Sequence, residues 1–343
     1  MKNSSGVYKY WVRTALGLEA IFLEELAGKY DIKGPAISHR SVFFELRTAV
    51  AETELCTGLR TADDIYRFLG SVAGVDRTKQ SVQHIEQYFS QHVLPAVPRL
   101  QPVRVTASFL GERNFTRYYI ESLLNGILSA KPGATILSNE HEDKWTAGET
   151  RIRVHIEDDQ AYFGMGVQDK PLHRRQWRTE SYSAQLHPPV AAALAFAAKP
   201  VHGHPVIDPF CGSGTILIES ALQHEGMQHI GFDIDASAIH IAAQNARLAG
   251  VDIECRQEDF IHHYKNFEGY TLISNPPWGE KHGIDERFFD NLFNIISAAG
   301  SSVMLVPEEL KNKLTGAGIS PETICTTRVR GKLASILRIT SAS

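Results

Sequence analysis

Hydrophobic positions in the first half of the chain alternate between the periods of strands and of helices. Strand-like runs are predicted at 8–14, 41–46, 103–108, 149–157 and 161–167, and helical patterns at 18–29, 49–69, 82–89 and 116–128. Asp158-Asp159-Gln160 predicts a tight turn that joins the last two strands into a hairpin. This order predicts two small α+β units, one at 1–70 and one at 71–168.

A more regular alternation of strands and helices occupies the second half. Strands are predicted at 205–207, 229–233, 252–256, 270–274 and 301–306, helices at 190–198, 215–223, 236–249, 286–299 and 308–314, and a last hairpin at 323–330 and 334–340. Such alternation predicts an α/β domain at 187–343 with a mostly parallel seven-stranded sheet, and the hairpin predicts an antiparallel edge. Residues 169–186 break the periodicity and are predicted to be a linker.

The composition narrows the class of protein. A chain of 343 residues with 43% hydrophobic and 22% charged residues is typical of a globular protein of two or three domains, which excludes disorder. Its four cysteines form no C-x-x-C pair, and its histidines lack acidic or cysteine partners at ligand spacing, so no metal site is expected. No leader pattern opens the chain, and the longest apolar run, 190–198, is too short to span a bilayer. We therefore expect a soluble cytoplasmic protein, and its net charge of −4 argues against non-specific coating of nucleic acid.

A glycine turn follows the first strand of the α/β domain. Gly212-Ser213-Gly214 comes after Asp208 and opens a helix at Thr215, which is where a doubly wound sheet binds an adenosine-containing cofactor. A dinucleotide fingerprint would need glycine or alanine where this chain has Leu217, and a P-loop would need a lysine that the turn lacks. A cofactor without a pyrophosphate, S-adenosylmethionine, fits better.

Carboxylates near successive strand ends support that interpretation. Asp233 is placed to accept both ribose hydroxyls, Asp259 to accept from the adenine amino group with Phe260 packed on the ring, and Asp208 to orient the turn or meet the methionine ammonium. The predicted cofactor residues are Asp208, Phe210, Gly212, Ser213, Gly214, Thr215, Asp233, Ile234, Asp259, Phe260 and Asn275.

Two motifs together resemble a known group of enzymes. The run from Asp208 to Glu219, followed by Asn275-Pro-Pro-Trp278, resembles the class I methyltransferases that modify exocyclic amino groups of bases. The resemblance implies a Rossmann-like fold and a catalytic set of Asn275, Pro276 and Trp278. The Asn275 side-chain oxygen and the Pro276 carbonyl would accept the two amino hydrogens, and Trp278 would stack on a flipped base.

The rest of the chain resembles one branch of that group. Residues 169–187 are similar to the linker of RNA methyltransferases in which a THUMP domain precedes the catalytic domain; 111–116 and 164–166 are similar to THUMP, and 14–19 to its ferredoxin-like companion. This implies a ferredoxin-like domain at 1–70 and a THUMP domain at 71–168 that together grip the 3′ end and acceptor stem of tRNA. The implied activity is N2-methylation of guanosine at position 6.

Arginines supply the candidate RNA contacts. Arg174, Arg175 and Arg178 of the linker are predicted to contact RNA together with Trp278, and further candidates are Arg104, Arg113, Arg117, Arg151 and Arg153. The amino groups of guanine, adenine and cytosine all satisfy the same acceptor pair, so the sequence fixes the reaction better than the target base. Three alternatives to a tRNA guanine-N2 methyltransferase stay open. They are a ribosomal RNA guanine-N2 methyltransferase, a DNA adenine-N6 methyltransferase and an inactive RNA-binding module.

Overall fold

The computed structural model describes residues 8–139, 145–178, 185–267, 269–278 and 286–340. The helices are α1 (Glu19–Lys29), α2 (Glu52–Gly58), α3 (Val82–Tyr88), α4 (Arg117–Ser129), α5 (Pro188–Ala198), α6 (Thr215–Gln223), α7 (Ala236–Ala249), α8 (Glu286–Ala298) and α9 (Glu308–Gly316). The strands are β1 (Tyr8–Thr14), β2 (Ile32–Ser38), β3 (Ser41–Leu46), β4 (Ala62–Ala73), β5 (Pro102–Phe109), β6 (Thr135–Ile136), β7 (Thr150–Glu157), β8 (Gln160–Gly166), β9 (Val206–Asp208), β10 (His229–Asp233), β11 (Glu254–Gln257), β12 (Thr271–Ser274), β13 (Ser301–Pro307), β14 (Glu322–Val329) and β15 (Lys332–Thr340). In this described part of the chain, no helix is long and apolar enough to cross a membrane.

The first half of the chain forms one eight-stranded sheet in the order β2-β3-β1-β4-β8-β7-β5-β6. Its pairings are antiparallel except those of β5 with β6 and β7, which are parallel. One apolar core packs α1 and α2 on the β1–β4 end, and a second packs α3 and α4 on the β5–β8 end. Strand β4 runs across residue 70, so the two units predicted on either side of that residue share this sheet.

The second half forms the predicted seven-stranded sheet, in the order β11-β10-β9-β12-β13-β15-β14. Strands β9 to β13 are parallel, and β15 and β14 form the antiparallel edge. Alternate residues of the central strands face opposite cores: Ile273 packs with α5 and α6, and Leu272 with α8 and α9. The sheet is therefore covered on both faces, as the alternation of strands and helices predicts.

One predicted element is wrong. The helical pattern at 49–69 gives only the short helix α2, after which the chain turns into the central strand β4. The first five residues of β4 are all buried, so both faces of the strand are covered there. A strand buried on both faces shows no alternation and is easily mistaken for helix. Strand β2 was also missed, since it is an edge strand with mostly exposed side chains.

Candidate active site

Four adjacent parallel strands end at one edge of the seven-stranded sheet. Asp208 ends β9 and Asp233 ends β10, while Asp259 follows β11 by two residues and Asn275 follows β12 directly. From β9 the chain proceeds outward through β10 and β11, whereas β12 and β13 lie on the opposite side of β9. The strand order therefore reverses between β9 and β12, and such a switch point is where open α/β sheets bind their ligands. The structure brings the predicted carboxylates and the amide to this point.

The glycine turn between β9 and α6 needs both of its glycines. Gly212 has φ +53° and Gly214 has φ +78°, a region that side chains disfavour. A Cβ at Gly214 would also lie 3.0 Å from the Cβ of Ala242 on α7, whereas a Cβ at Gly212 would meet no atom within 4 Å. Asn245 of α7 donates to the Ser213 carbonyl at 3.1 Å and anchors the turn from behind. The turn thus packs tightly on its inner side and leaves open space at Gly212.

Asp233 ties the end of β10 to this turn. One carboxylate oxygen accepts from the Gly212 N–H at 2.9 Å, and the other accepts from the Asp235 N–H at 2.9 Å. Each oxygen keeps a second lone pair, so the carboxylate can still accept from a ligand's hydroxyls. Ile234 beside it is 76% exposed, an apolar side chain with no cover at the mouth of the site.

Asp208 lies at the centre of the site and is completely buried. Its Oδ1 accepts from the Ser274 hydroxyl at 2.7 Å and from the Phe210 N–H at 3.1 Å. Its Oδ2 has no hydrogen-bond partner among the described residues. Burial raises the pKa of Asp208 from its ordinary 3.8 to about 7, although the two hydrogen bonds on Oδ1 act to lower it. A buried acceptor left open in this way suits a cationic ligand group.

A second unsatisfied acceptor lies at the end of the adjacent strand β12. Asn275 leaves β12 with its side-chain Oδ1 buried and with no partner in the described part of the chain. Pro276 is buried, and the half-buried Trp278 packs against the apolar cluster that also holds α5 and α6. The Trp278 indole N–H is buried without a described partner as well. Natural proteins rarely leave buried polar groups unpaired, so this cluster indicates a place for polar ligand atoms.

The remaining cofactor candidates have mixed outcomes. Phe260 is 1% exposed and packs with the ring of Phe232 at a centroid distance of 4.7 Å. Its predicted stacking on a cofactor ring is therefore wrong, because the side chain belongs to the core. Asp259 is exposed and caps a helical turn by accepting from the Ile261 N–H at 3.1 Å, and its predicted contact with the adenine stays a prediction. The half-buried ring of Phe210 contacts Phe288 at a centroid distance of 5.7 Å.

Several predicted RNA contacts are engaged inside the protein. Arg175 donates to the buried carboxylate of Glu219 at 2.7 Å and has a side chain only 8% exposed, so its predicted contact with RNA is wrong. Arg178 donates from Nε to the Gln185 side-chain oxygen at 2.7 Å, and burial lowers its pKa. The same holds for three candidates of the first half: Arg104 pairs with Glu149, Arg151 pairs with Asp64, and Arg113 donates to backbone carbonyls.

Other cations line a cavity of about 370 Å³ over the eight-stranded sheet, beside the linker. Nine basic side chains and three carboxylates line its wall; the basic ones are Arg13, Arg40, Arg104, Arg117, Arg151, Arg153, His173, Arg174 and His187, and the carboxylates are Asp63, Asp64 and Glu121. Arg153 donates to the Ser108 hydroxyl at 2.8 Å, but its Nε is buried with no partner among the described residues. Burial and then the neighbouring Arg153 and Arg40 lower the pKa of Arg13 to about 10. We call this the arginine cavity. Asp63 and Asp64 pair with Arg40 and Arg151, but cations outnumber carboxylates in the wall, and this excess suits an anion.

Sequence reasoning found Arg117, Arg153 and Arg174 but missed Arg13 and Arg40. The available sign was alternation: Arg13 sits two residues after the buried Trp11, on the same face of β1. No group of three side chains that could hold a metal ion occurs in the described ranges.

The fold of the second half is that of a class I methyltransferase-like protein. Residues 175–305 match the family model UPF0020, which is described as an RMKL-like methyltransferase domain. The ribosomal RNA large subunit methyltransferase K/L of Syntrophotalea carbinolica is 33% identical over 188 residues, which are 40% of this chain and 26% of that protein. This chain thus spans about a quarter of such relatives.

Two comparisons extend over most of the chain. The tRNA (guanine(6)-N2)-methyltransferase of Thermus thermophilus is 28% identical over 288 residues, 82% of each protein. The crystal structure of TrmN from Thermus thermophilus superposes with a TM-score of 0.79 at 24% identity and covers 97% of this chain and 99% of that one. The predicted class I methyltransferase fold and the predicted family resemblance are confirmed.

Proposed function

We propose that this protein is an S-adenosylmethionine-dependent RNA methyltransferase that methylates N2 of guanosine in tRNA. The observation that carries the proposal is a pair of buried oxygens without a partner among the described residues, Asn275 Oδ1 and Asp208 Oδ2, at the ends of the adjacent strands β12 and β9 at the switch point. One suits an amino group and the other suits an ammonium group. The relative that matches over 82% of both chains carries the name of a tRNA guanine-N2 methyltransferase, which supports the choice of substrate.

The residues at the site fit the proposed cofactor. Asp208 Oδ2 would accept from the ammonium of its methionine part, Asp233 from the ribose hydroxyls, and the exposed Ile234 would cover a face of the adenine. The open space at Gly212 would let the ligand approach the backbone. When bound, S-adenosylmethionine supplies a methyl group on a positively charged sulfonium.

The chain's own part in the chemistry is to hold the target nitrogen. The Asn275 side-chain oxygen and the Pro276 carbonyl would accept the two amino hydrogens, which draws the nitrogen lone pair out of conjugation with the base. No strong base is required, because the nitrogen becomes acidic once it carries the methyl group and releases one proton afterwards. Trp278 would support the face of the extruded base, a contact worth roughly 1–3 kcal/mol.

The first half of the chain would hold the RNA. In this proposal the arginine cavity binds backbone phosphates near the 3′ end and acceptor stem, and its repelling cations Arg13, Arg40 and Arg153 are relieved by the anion. The THUMP and ferredoxin-like identities of 71–168 and 1–70 and a cytoplasmic location belong to the same proposal. Arg174 lines the cavity and remains a candidate RNA contact, whereas Arg175 does not.

Modified nucleosides test the proposal directly. Unmodified tRNA and ribosomal RNA are incubated with the purified protein and methyl-labelled S-adenosylmethionine, digested and separated by mass. We expect N2-methylguanosine in tRNA, at one position of the acceptor stem. Absence of labelled N2-methylguanosine from every tRNA would refute the proposal.

A second candidate, methylation of ribosomal RNA guanine N2, is favoured by the 33% identity over 188 residues to a ribosomal RNA methyltransferase. It predicts label in large-subunit ribosomal RNA and none in tRNA in the same experiment. Labelled adenine in DNA, tested in a third arm, would favour the DNA adenine alternative.

A further inference from the structure

Glu219 is a carboxylate buried in the helix that the glycine turn opens. It lies in α6, one turn after Thr215, and is 0% exposed. Its Oε2 accepts from Arg60 Nε at 2.5 Å, and its Oε1 accepts from Arg175 Nε at 2.7 Å. A buried carboxylate is tolerated only when it is paired and hydrogen-bonded, so these two arginines determine where α6 lies.

The two arginines come from outside the parallel sheet. Arg60 lies between α2 and β4 in the first half of the chain, and its backbone N–H donates to the buried Glu25 of α1 at 3.0 Å. Arg175 lies in the linker and also donates to the carbonyls of Arg60 and Leu172, each at 2.6 Å. The carboxylate therefore joins three parts of the chain through donors that are themselves fixed.

The linker connects the ion pairs of Glu219 with Arg60 and Arg175 to the arginine cavity. His173 and Arg174 line the cavity, and the next residue, Arg175, reaches Glu219. The His173 N–H donates to the Asp63 carbonyl at 3.0 Å, which holds the linker to β4. The cavity and the cofactor helix are thus connected by neighbouring residues of one short segment.

Apolar contacts seat the two halves on each other at the same boundary. Leu18 and Ile21 at the start of α1 share a core cluster with Val190 and Leu194 of α5. Gly17 approaches the antiparallel edge so closely that a Cβ there would lie 1.9 Å from the Thr326 carbonyl oxygen. Apolar contact is non-directional, whereas the charge-assisted hydrogen bonds at Glu219 are directional and can define an orientation.

We propose that Glu219 is a positioning residue that sets the distance and orientation between the arginine cavity and the cofactor turn, and so selects which nucleotide reaches Asn275. The inference rests on the proposed function, since it presumes that RNA held in the cavity is methylated at the sheet edge. A displacement of about 1 Å at a reacting centre costs on the order of a hundredfold in rate.

Three variants test the role. Glu219→Gln weakens both pairs, and Arg60→Met removes the donor from the first half while Arg175 still pairs with the carboxylate. Glu24→Gln is the matched control, because Glu24 pairs with Lys199 at 3.2 Å across the same boundary but both side chains are more than 60% exposed. Each variant is assayed for its dissociation constant for S-adenosylmethionine, for kcat and KM with tRNA, and for the position of the methylated nucleotide.

For Glu219→Gln and Arg60→Met we expect the dissociation constant of the cofactor and the KM for tRNA to stay within about threefold of wild type. We expect kcat to fall by about tenfold to a hundredfold, with methylation at neighbouring nucleotides. Glu24→Gln should match wild type in every measurement. If Glu219→Gln fails to fold, the kcat and the methylated position of Arg60→Met test the inference instead.

A wild-type kcat and methylation at the wild-type nucleotide only in Arg60→Met would overturn this inference and leave the proposed function standing. Wild-type protein that methylates no RNA would instead overturn the proposed function, and the inference with it.

Discussion

Replacing Asp208 by asparagine is expected to stabilise the free protein at high pH while it weakens cofactor binding. The carboxyl is completely buried, and burial raises its pKa from 3.8 to about 7. A carboxyl whose pKa is raised on folding binds its proton more tightly in the folded state. Stability therefore falls as the pH rises between about 4 and 7, and the full cost of the buried charge is present above that window.

The structure sets the magnitude of this effect. A shift from 3.8 to about 7 corresponds to about 4 kcal/mol, of which about 3 kcal/mol develops between pH 5 and pH 8. The amide of Asp208→Asn can still accept from Ser274 and from the Phe210 N–H, but its NH₂ would occupy the unpaired position of Oδ2. That orphaned donor costs roughly 1–3 kcal/mol at every pH. The change with pH in the unfolding free-energy difference between variant and wild type is therefore more informative than that difference at a single pH, because the cost of the orphaned donor cancels.

Urea unfolding of both proteins at pH 5 and pH 8, without cofactor, measures that difference. We expect the variant to gain about 3 kcal/mol relative to wild type between the two pH values. Titration calorimetry should show wild-type affinity for S-adenosylmethionine rising about tenfold from pH 6 to pH 8, because the carboxyl is about 10% ionised at pH 6. The variant should bind weakly with no such rise. Ser274→Ala removes a hydrogen bond that lowers the pKa of Asp208 and should move the transition to higher pH. An equal stability difference between Asp208→Asn and wild type at both pH values would refute the reasoning.

Three further substitutions address the other parts of the site. Asn275→Ala should lower kcat about 100- to 1000-fold, because a preorganised polar contact in the transition state is lost. The dissociation constants for cofactor and RNA, measured by titration, should stay within threefold of wild type. A kcat within threefold of wild type would exclude the amide from the chemistry. Arg153→Ala should weaken binding of tRNA and reduce the slope of log K against log salt by about 1. Arg99→Ala is the matched control, because Arg99 is exposed and lies outside the cavity wall, and it should leave the slope unchanged. The same slope in Arg153→Ala and wild type would exclude the arginine cavity from the RNA site. Gly214→Ala should weaken cofactor binding and lower the unfolding midpoint, because φ is +78° there and the new Cβ would lie 3.0 Å from Ala242. A wild-type dissociation constant together with a wild-type midpoint would show that the turn does not require glycine at this position.

The α/β half of the fold was predictable because its signals are local. The helices at α6 and α7 follow from helical periodicity, with Asp235 as a side-chain cap at the start of α7. Consecutive parallel strands then bring Asp208, Asp233 and Asn275 to one edge without any knowledge of their contacts. Leu217, where a dinucleotide fingerprint needs glycine or alanine, and the absence of a P-loop lysine excluded those two alternatives.

The first half was less predictable, since its sheet is assembled from strands distant in sequence. Strand β4 pairs with β1 and with β8, which lies about ninety residues further along the chain. Its burial on both faces is a consequence of that assembly, and no local pattern encodes it. The same long-range pairing places Arg153 of β7 near Arg13 of β1, so the arginine cavity exists only once the sheet is formed.

The arginines make the limit of sequence reasoning clearest, because a guanidinium carries the same charge whether it faces RNA or a buried carboxylate. Arg175 looks like an RNA contact within a basic linker, yet its partner Glu219 lies 44 residues away, and the other partner of that carboxylate, Arg60, lies 159 residues away. Glu219 stands inside the glycine-turn motif that the sequence does reveal, but α6 contains no basic residue that could pair with it. Buried charge must be matched by charge brought from elsewhere in the fold, so each such carboxylate marks a long-range contact before its partner is known. A charged residue in the middle of a buried helix is therefore the better place to look for domain coupling than a cluster of arginines in a linker.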